Sequence, residues 1–224
     1  MSDANKRSGR VGMRLDVVLG ILGAALIIGC LAMIYGGGGR QDKIYTPGDE
    51  TAAISGPAIT GDEVIGGSFV LINQNGKTVT EKDYHGKYVL LTFGFTYCPD
   101  ICPTKLQDMS LAVDALEDDA KWVQILFISI DPQRDKPAQM KGYVGLYPNN
   151  IQGLTGTKEQ IADIAKKFKV YYKRAEDTGD GNYMMDHSAQ IYLLDPEGKF
   201  LEVFTSEADS NRITSVIKSH LHPQ

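Results

Sequence analysis

The chain has 224 residues, 42% hydrophobic and 23% charged, a balance typical of one ordinary globular domain with an appendage. Its three cysteines are too few for a disulfide framework. The net charge of −5 divides into +3 over residues 1–40, where Lys6, Arg7, Arg10, Arg14 and Arg40 stand against Asp3 and Asp16, and −8 over the rest. So acidic a body argues against nucleic acid as a partner, because phosphate contacts need a basic surface, and it would suit a basic protein.

Residues 17–35 (VVLGILGAALIIGCLAMIY) carry no charge. As a helix this stretch spans about 28 Å, close to the hydrocarbon thickness of a bilayer. Four basic residues precede it, against Arg40 and Lys43 after it, which places residues 1–16 on the cytoplasmic side and exports the remainder. No clear small-residue cleavage site follows the apolar run, so an uncleaved transmembrane anchor is expected rather than a signal peptide. A rival reading takes Ile27-Ile28-Gly29-Cys30 as a lipoprotein processing box with Cys30 lipidated, but the apolar residues past Cys30 favour the anchor. With no long Arg/Ser-rich transit segment ahead of it, the expected location is a bacterial inner membrane with the domain in the periplasm. Residues 36–60, opening on four glycines, read as a flexible linker, and the folded domain is expected over 61–224.

Within that domain, residues 69–72 and 77–80 flank Asn75-Gly76 and predict a β-hairpin. Residues 88–95 form a short apolar run, a buried strand, that stops at Thr96-Tyr97-Cys98-Pro99-Asp100-Ile101-Cys102-Pro103. Beyond it a helical pattern carries Leu106, Met109, Leu111, Val113 and Leu116, with Pro103 suited to the first turn. A second buried strand over 122–130 ends at Asp131-Pro132-Gln133-Arg134-Asp135. Helices are expected at about 137–146 and 158–168, the latter capped by Thr157, then a short strand at 170–172 and an acidic, Gly-containing loop at 175–182. A hairpin over 190–194 and 200–204 and an amphipathic helix over 208–221 close the chain. A β-α-β unit, a hairpin and a closing helix, with two cysteines at the first strand–helix junction, make a thioredoxin-like α/β plan.

The positive end of a helix favours a thiolate, so Cys98 and Cys102 are placed for redox chemistry or metal binding. If the segment is helical, both thiols share one face with Cα atoms about 6 Å apart, near enough for a disulfide or a shared ion. A thioredoxin motif separates its cysteines by two residues; three here weaken the plain oxidoreductase reading. Two thiolates suit Cu(I) best, with zinc possible, and either ion would take a third ligand. His85 reads as a turn residue, and His220 and His222 lie at the fraying end. His187 lies between the acidic loop and a buried strand, where it could ligate a metal or merely satisfy a backbone carbonyl. Met184 and Met185 read as packing residues before soft ligands, and Asp100 as solvent-facing. Asp186, a neighbour in an extended chain, points away from His187. Asp177, Asp180 and Asn182 fail the EF-hand spacing.

Three motifs taken together, residues 96–103, Asp131-Pro132-x-Arg134-Asp135-x-Pro137 and Asp186-His187-Ser188, resemble the Sco/SenC family over about residues 60–221. The resemblance implies a thioredoxin-like, membrane-anchored copper protein that helps assemble the binuclear copper centre in subunit II of cytochrome c oxidase. It implies Cys98, Cys102 and His187 as the copper ligands. Two functions follow as expectations: a metallochaperone delivering copper to that subunit, and a thiol–disulfide reductase in which Cys98 and Cys102 cycle to keep the subunit's cysteines reduced. An upstream periplasmic copper donor and thioredoxin-like reductants are the further partners expected.

Overall fold

Two segments have almost no polar break, and the fold closes around them. Every residue of Val123–Ser129 is buried, as is every residue of Tyr88–Gly94 after the first. Strands covered on both faces belong at the centre of a mixed sheet. The structure, a computed structural model, describes residues 64–149, 151–175 and 183–223. Their elements run β1 (Val70–Asn73), β2 (Thr78–Thr80), β3 (Tyr88–Gly94), α1 (Ile101–Asp114), β4 (Val123–Ser129), α2 (Pro137–Val144), β5 (Gln152–Thr155), α3 (Lys158–Lys167), β6 (Tyr172–Arg174), β7 (Met185–His187), β8 (Ile191–Leu194), β9 (Phe200–Phe204) and α4 (Ser210–Leu221). The expected cytoplasmic segment, anchor, linker and Cys30 lie outside the described residues, as do residues 176–182 of the acidic loop. Among the described residues no helix is long and apolar enough to cross a membrane.

The main sheet has the order β2-β1-β5-β4-β3-β8-β9. β3, β4 and β5 are parallel, and antiparallel partners flank them on both sides. The expected hairpins are present as β1–β2 and β8–β9. α1 and α4 pack together, tied by Lys105 Nζ donating to Ala208 O and by Thr214 Oγ1 donating to Ala112 O. On the core side of the sheet the rings of Phe93, Phe168 and Tyr192 meet pairwise at 5.3–6.2 Å, two of the three contacts being edge-on. Such geometry adds to plain area burial.

The structure departs from the sequence reading in three places. β5 was not expected: it is four residues long and interrupted by Gly153, so it gives no strand pattern. A Cβ at Gly153 would come within 3.0 Å of Met140 Cε, so the glycine lets α2 lie directly on the strand. Trp122 belongs to a 3-10 turn rather than to β4, and it is 48% exposed. The short strand after α3 sits at 172–174 and pairs with β7 in a separate two-stranded ribbon.

Topology fixes where chemistry can gather. The parallel neighbours β3 and β4 both end at one edge of the sheet, the usual ligand-binding edge in α/β folds. β8 runs antiparallel to β3 with Ile191 opposite Thr92, so it begins at that same edge. Residues just before β8 must therefore arrive beside residues just after β3.

Thr157 caps α3 as expected: its hydroxyl accepts from Gln160 N, and the Gln160 side chain accepts from Thr157 N. Replacing it by alanine should cost about 1 kcal/mol and lower the melting temperature by about 2–4 °C. Thermal unfolding followed by circular dichroism measures this; an unchanged midpoint would show the cap to be idle.

Candidate metal centre

The segment after β3 does not continue straight into helix. Cys98 N–H donates to Phe95 O at 3.1 Å, closing a turn, and α1 begins only at Ile101. Cys102 is the second helical residue and Pro103 the third, within the first turn as expected. The two thiols therefore do not share a helix face, which corrects the helical picture of the pair. They converge because a turn, not a helix, presents Cys98 to the helix start.

His187 completes the group. The Cys98 and Cys102 sulfurs and a His187 ring nitrogen all lie within 4.8 Å of one another, and Cys102 Sγ is 3.6 Å from His187 Nε2. Among the described residues this is the one such group of His, Cys, Asp or Glu side chains. His187 Nδ1–H donates to Ser188 O at 3.0 Å, which leaves Nε2 turned to the sulfurs and available to a metal. Of the alternatives in the sequence the carbonyl contact is realised, on Nδ1, and it leaves Nε2 facing the two sulfurs. Phe95 packs edge-on against the imidazole, with ring centres 5.9 Å apart.

Both cysteines are free and buried. The Cys98 pKa is pushed down to about 4, first by the hydrogen bond from the Cys102 thiol and then by the His187 ring and the backbone N–H groups of Cys102 and Asp100, against the opposing effect of burial. Cys102 shifts upward, because its proton is held by Cys98 and because it is buried. Of the two, Cys98 is the one favoured as thiolate and Cys102 the one favoured to keep its proton.

Two supports escaped sequence reasoning. Gly94 ends β3 beneath the site: a Cβ there would lie 2.7 Å from Cys102 Sγ and 2.7 Å from Phe127 Cε2, so any side chain would displace the thiol. A glycine at the end of an apolar run was the available signal. The second support is the motif after β4. Thr96 N–H and Oγ1–H donate to Asp135 at 3.0 and 2.6 Å, and Ser129 Oγ–H donates to it at 2.6 Å. The motif was visible in the sequence; its hydrogen bonds to Thr96, across 39 residues, were not.

The remaining candidates lie elsewhere. Asp186 is exposed on the opposite face of β7 from His187. Met184 is 43% exposed, and Met185 packs against the core. His85 is exposed, and His222 pairs with Asp119 at 2.7 Å. Asp100 is exposed at the N-cap of α1 and makes no side-chain cap bond.

Fold and site together define a thioredoxin-like α/β protein with a cluster of two thiols and an imidazole at the carboxyl ends of its central parallel strands. The SCO1/SenC family model matches residues 57–222. The chain belongs to that family. Over 166 residues it is 43% identical to protein sco1 of Schizosaccharomyces pombe, a match that covers 73% of this chain and 63% of that protein. The chain spans about half to three fifths of the length of curated relatives from fission yeast, human, cattle and Arabidopsis thaliana. Among solved structures it resembles Arabidopsis thaliana ScoI with copper bound, at 39% identity and a TM-score of 0.67, over 70% of this chain and 98% of that one. It also resembles BsSco, described as a member of the Sco family of cytochrome c oxidase assembly proteins with a disulfide switch, at 30% identity and a TM-score of 0.55, over 70% and 93% of the two chains.

Two outcomes follow from the geometry. Gly94→Ala should cost about 1–3 kcal/mol through overpacking and should weaken metal binding by displacing Cys102, to be read by unfolding and by metal titration of the same variant. In the reduced, metal-free protein, alkylation at Cys98 should stay nearly constant as pH falls from neutrality and drop only through a midpoint of about 4, where the thiolate takes up its proton. An ordinary thiol loses reactivity below about 8.5. Mass-resolved labelling with iodoacetamide distinguishes the two profiles.

Proposed function

We propose that the chain is a copper metallochaperone that delivers copper to, and assists assembly of, the binuclear copper centre in subunit II of cytochrome c oxidase. The observation that carries the proposal is the convergence of Cys98, Cys102 and His187 within 4.8 Å at one edge of the sheet. Two soft sulfurs and one imidazole make a three-donor set suited to Cu(I), with room for a fourth donor from a recipient. Copper-bound relatives and the cytochrome c oxidase assembly role of the BsSco family support this reading. In the proposal, residues 17–35 anchor the protein in a bacterial inner membrane and residues 36–60 let the domain, in the periplasm, reach membrane-embedded partners. Copper arrives from an upstream donor there.

A second reading rests on a separate observation. The proton is unequally shared, with Cys98 favoured as thiolate and Cys102 as thiol, which would give the pair one group to attack a disulfide and one to resolve the product. The pair would then reduce the recipient's copper-binding cysteines before loading, with thioredoxin-like proteins returning Cys98 and Cys102 to the dithiol.

Copper titration of the reduced protein, with X-ray absorption on the loaded form, tests the first reading. The expected result is one copper ion with two sulfur ligands and one nitrogen ligand. His187→Ala should remove the nitrogen and lower affinity at least about tenfold, equivalent to about 1.4 kcal/mol. A His187→Ala variant that binds copper as tightly as the parent would sink this ligand set. Oxidase assembly that survives the loss of His187 but not of the cysteines would favour the reductase.

A further inference from the structure

Arg134 touches both halves of the candidate site. Its guanidinium carbon lies 3.6 Å from the ring centre of Tyr183 and 4.6 Å from that of Tyr97. Tyr97 immediately precedes Cys98, and Tyr183 stands on the segment that enters β7 and reaches His187 four residues later. Arg174, on β6, also covers the Tyr183 ring, at 3.7 Å. Two guanidinium groups this close to one ring centre must take opposite faces, so Tyr183 is held between two cations. Its hydroxyl donates to Asp131 Oδ1 at 2.8 Å, and the other oxygen of Asp131 accepts from Arg134 Nε. Tyr183 is consequently buried, with 8% exposure, and cation–π contacts gain strength when desolvated.

The ribbon that carries His187 is held beside the core by Tyr172 and Met185, which pack against it, and by the hydrogen bonds that Ser188 and Tyr171 exchange. β6 and β7 pair over three residues each and do not join the main sheet, and a two-stranded ribbon is marginal by itself. On its carboxyl side His187 is tethered by β8, which starts at Ile191. On its amino side Met185 packs against the core, and Tyr183, four residues ahead of His187, is held between the two cations. We propose that the Arg134–Tyr183–Arg174 sandwich positions His187 over the cysteines and so sets how fast the imidazole leaves a bound copper ion. These three are positioning residues, since none of them contributes a donor to the cluster, and the inference rests on the copper reading given above.

The test follows transfer of Cu(I) from the loaded full-length chain to a chromogenic Cu(I) chelator. Tyr183→Leu removes the ring and should accelerate transfer about 5- to 30-fold. Tyr183→Phe keeps the ring and loses only the bond to Asp131, so it should stay within about fivefold of the parent. The decisive comparison repeats Tyr183→Leu in a His187→Ala background, where no further acceleration is expected because the ligand being positioned is gone. X-ray absorption of Tyr183→Leu should show a weakened nitrogen contribution with both sulfurs retained. Arg174→Met, at an exposed strand position, is the second variant should Tyr183→Leu not fold, with an expected acceleration of about 3- to 10-fold that again vanishes without His187. Parental transfer rates in the variants would overturn the inference, as would equal acceleration with and without His187, which would mean general loosening. A parent chain that takes up no copper would overturn the copper reading itself, and the initial titration shows this before any variant is compared.

Discussion

The buried carboxylate of Asp135 constrains everything around the site. It has no exposed surface, and burial raises its pKa while Ser129 and Thr96 pull it back down. An ionised group in that position costs several kcal/mol unless its lone pairs are filled. Three hydrogen bonds of 2.6–3.0 Å engage both oxygens, two from Thr96 and one from Ser129. Ser129 is the last residue of β4, and Thr96 lies two residues past β3 and two before Cys98. Satisfying one carboxylate thus locks the ends of two parallel strands and the start of the cysteine turn into a single arrangement. Ser129 Oγ also accepts from Asp131 N, which carries the same constraint on to the residue that holds Tyr183 and Arg134.

Much of this was readable in the sequence, for a definite reason. β3 and β4 announce themselves as uninterrupted apolar runs, and the hairpins by their turn residues. The thioredoxin-like order follows from those elements, whereas Cys98, Cys102 and His187 were named together as ligands only through the resemblance that the quoted motifs carry. The losses share a cause as well. β5 has four residues and takes its strand geometry from β4 and β1 beside it, with no pattern of its own. β7 exists because residues 172–174 lie opposite, a pairing across the acidic loop that periodicity cannot show. The geometry of Cys98 was misread because a spacing of four suggests a helix, whereas the chain turns at Phe95–Cys98 before α1 begins. In each case a nonlocal contact or a turn decided what local propensity left open.

The three donors are not equally fixed, and that difference bears on both proposed functions. Cys102 is held by α1 and hemmed in by Phe127 and the bare backbone of Gly94, and Cys98 is held by the Phe95 turn. His187 rides on a three-residue ribbon outside the main sheet. A metal on this set would lose its nitrogen before either sulfur. Two thiolates alone would still suit Cu(I), and a sulfur from a recipient could then join them. Without a metal the pair favours a thiolate on Cys98 and a thiol on Cys102, a distribution that suits thiol–disulfide exchange. On the proposed reading, cysteines carried by the main fold and a histidine carried by a separate ribbon would suit delivery and reduction as successive uses of one site.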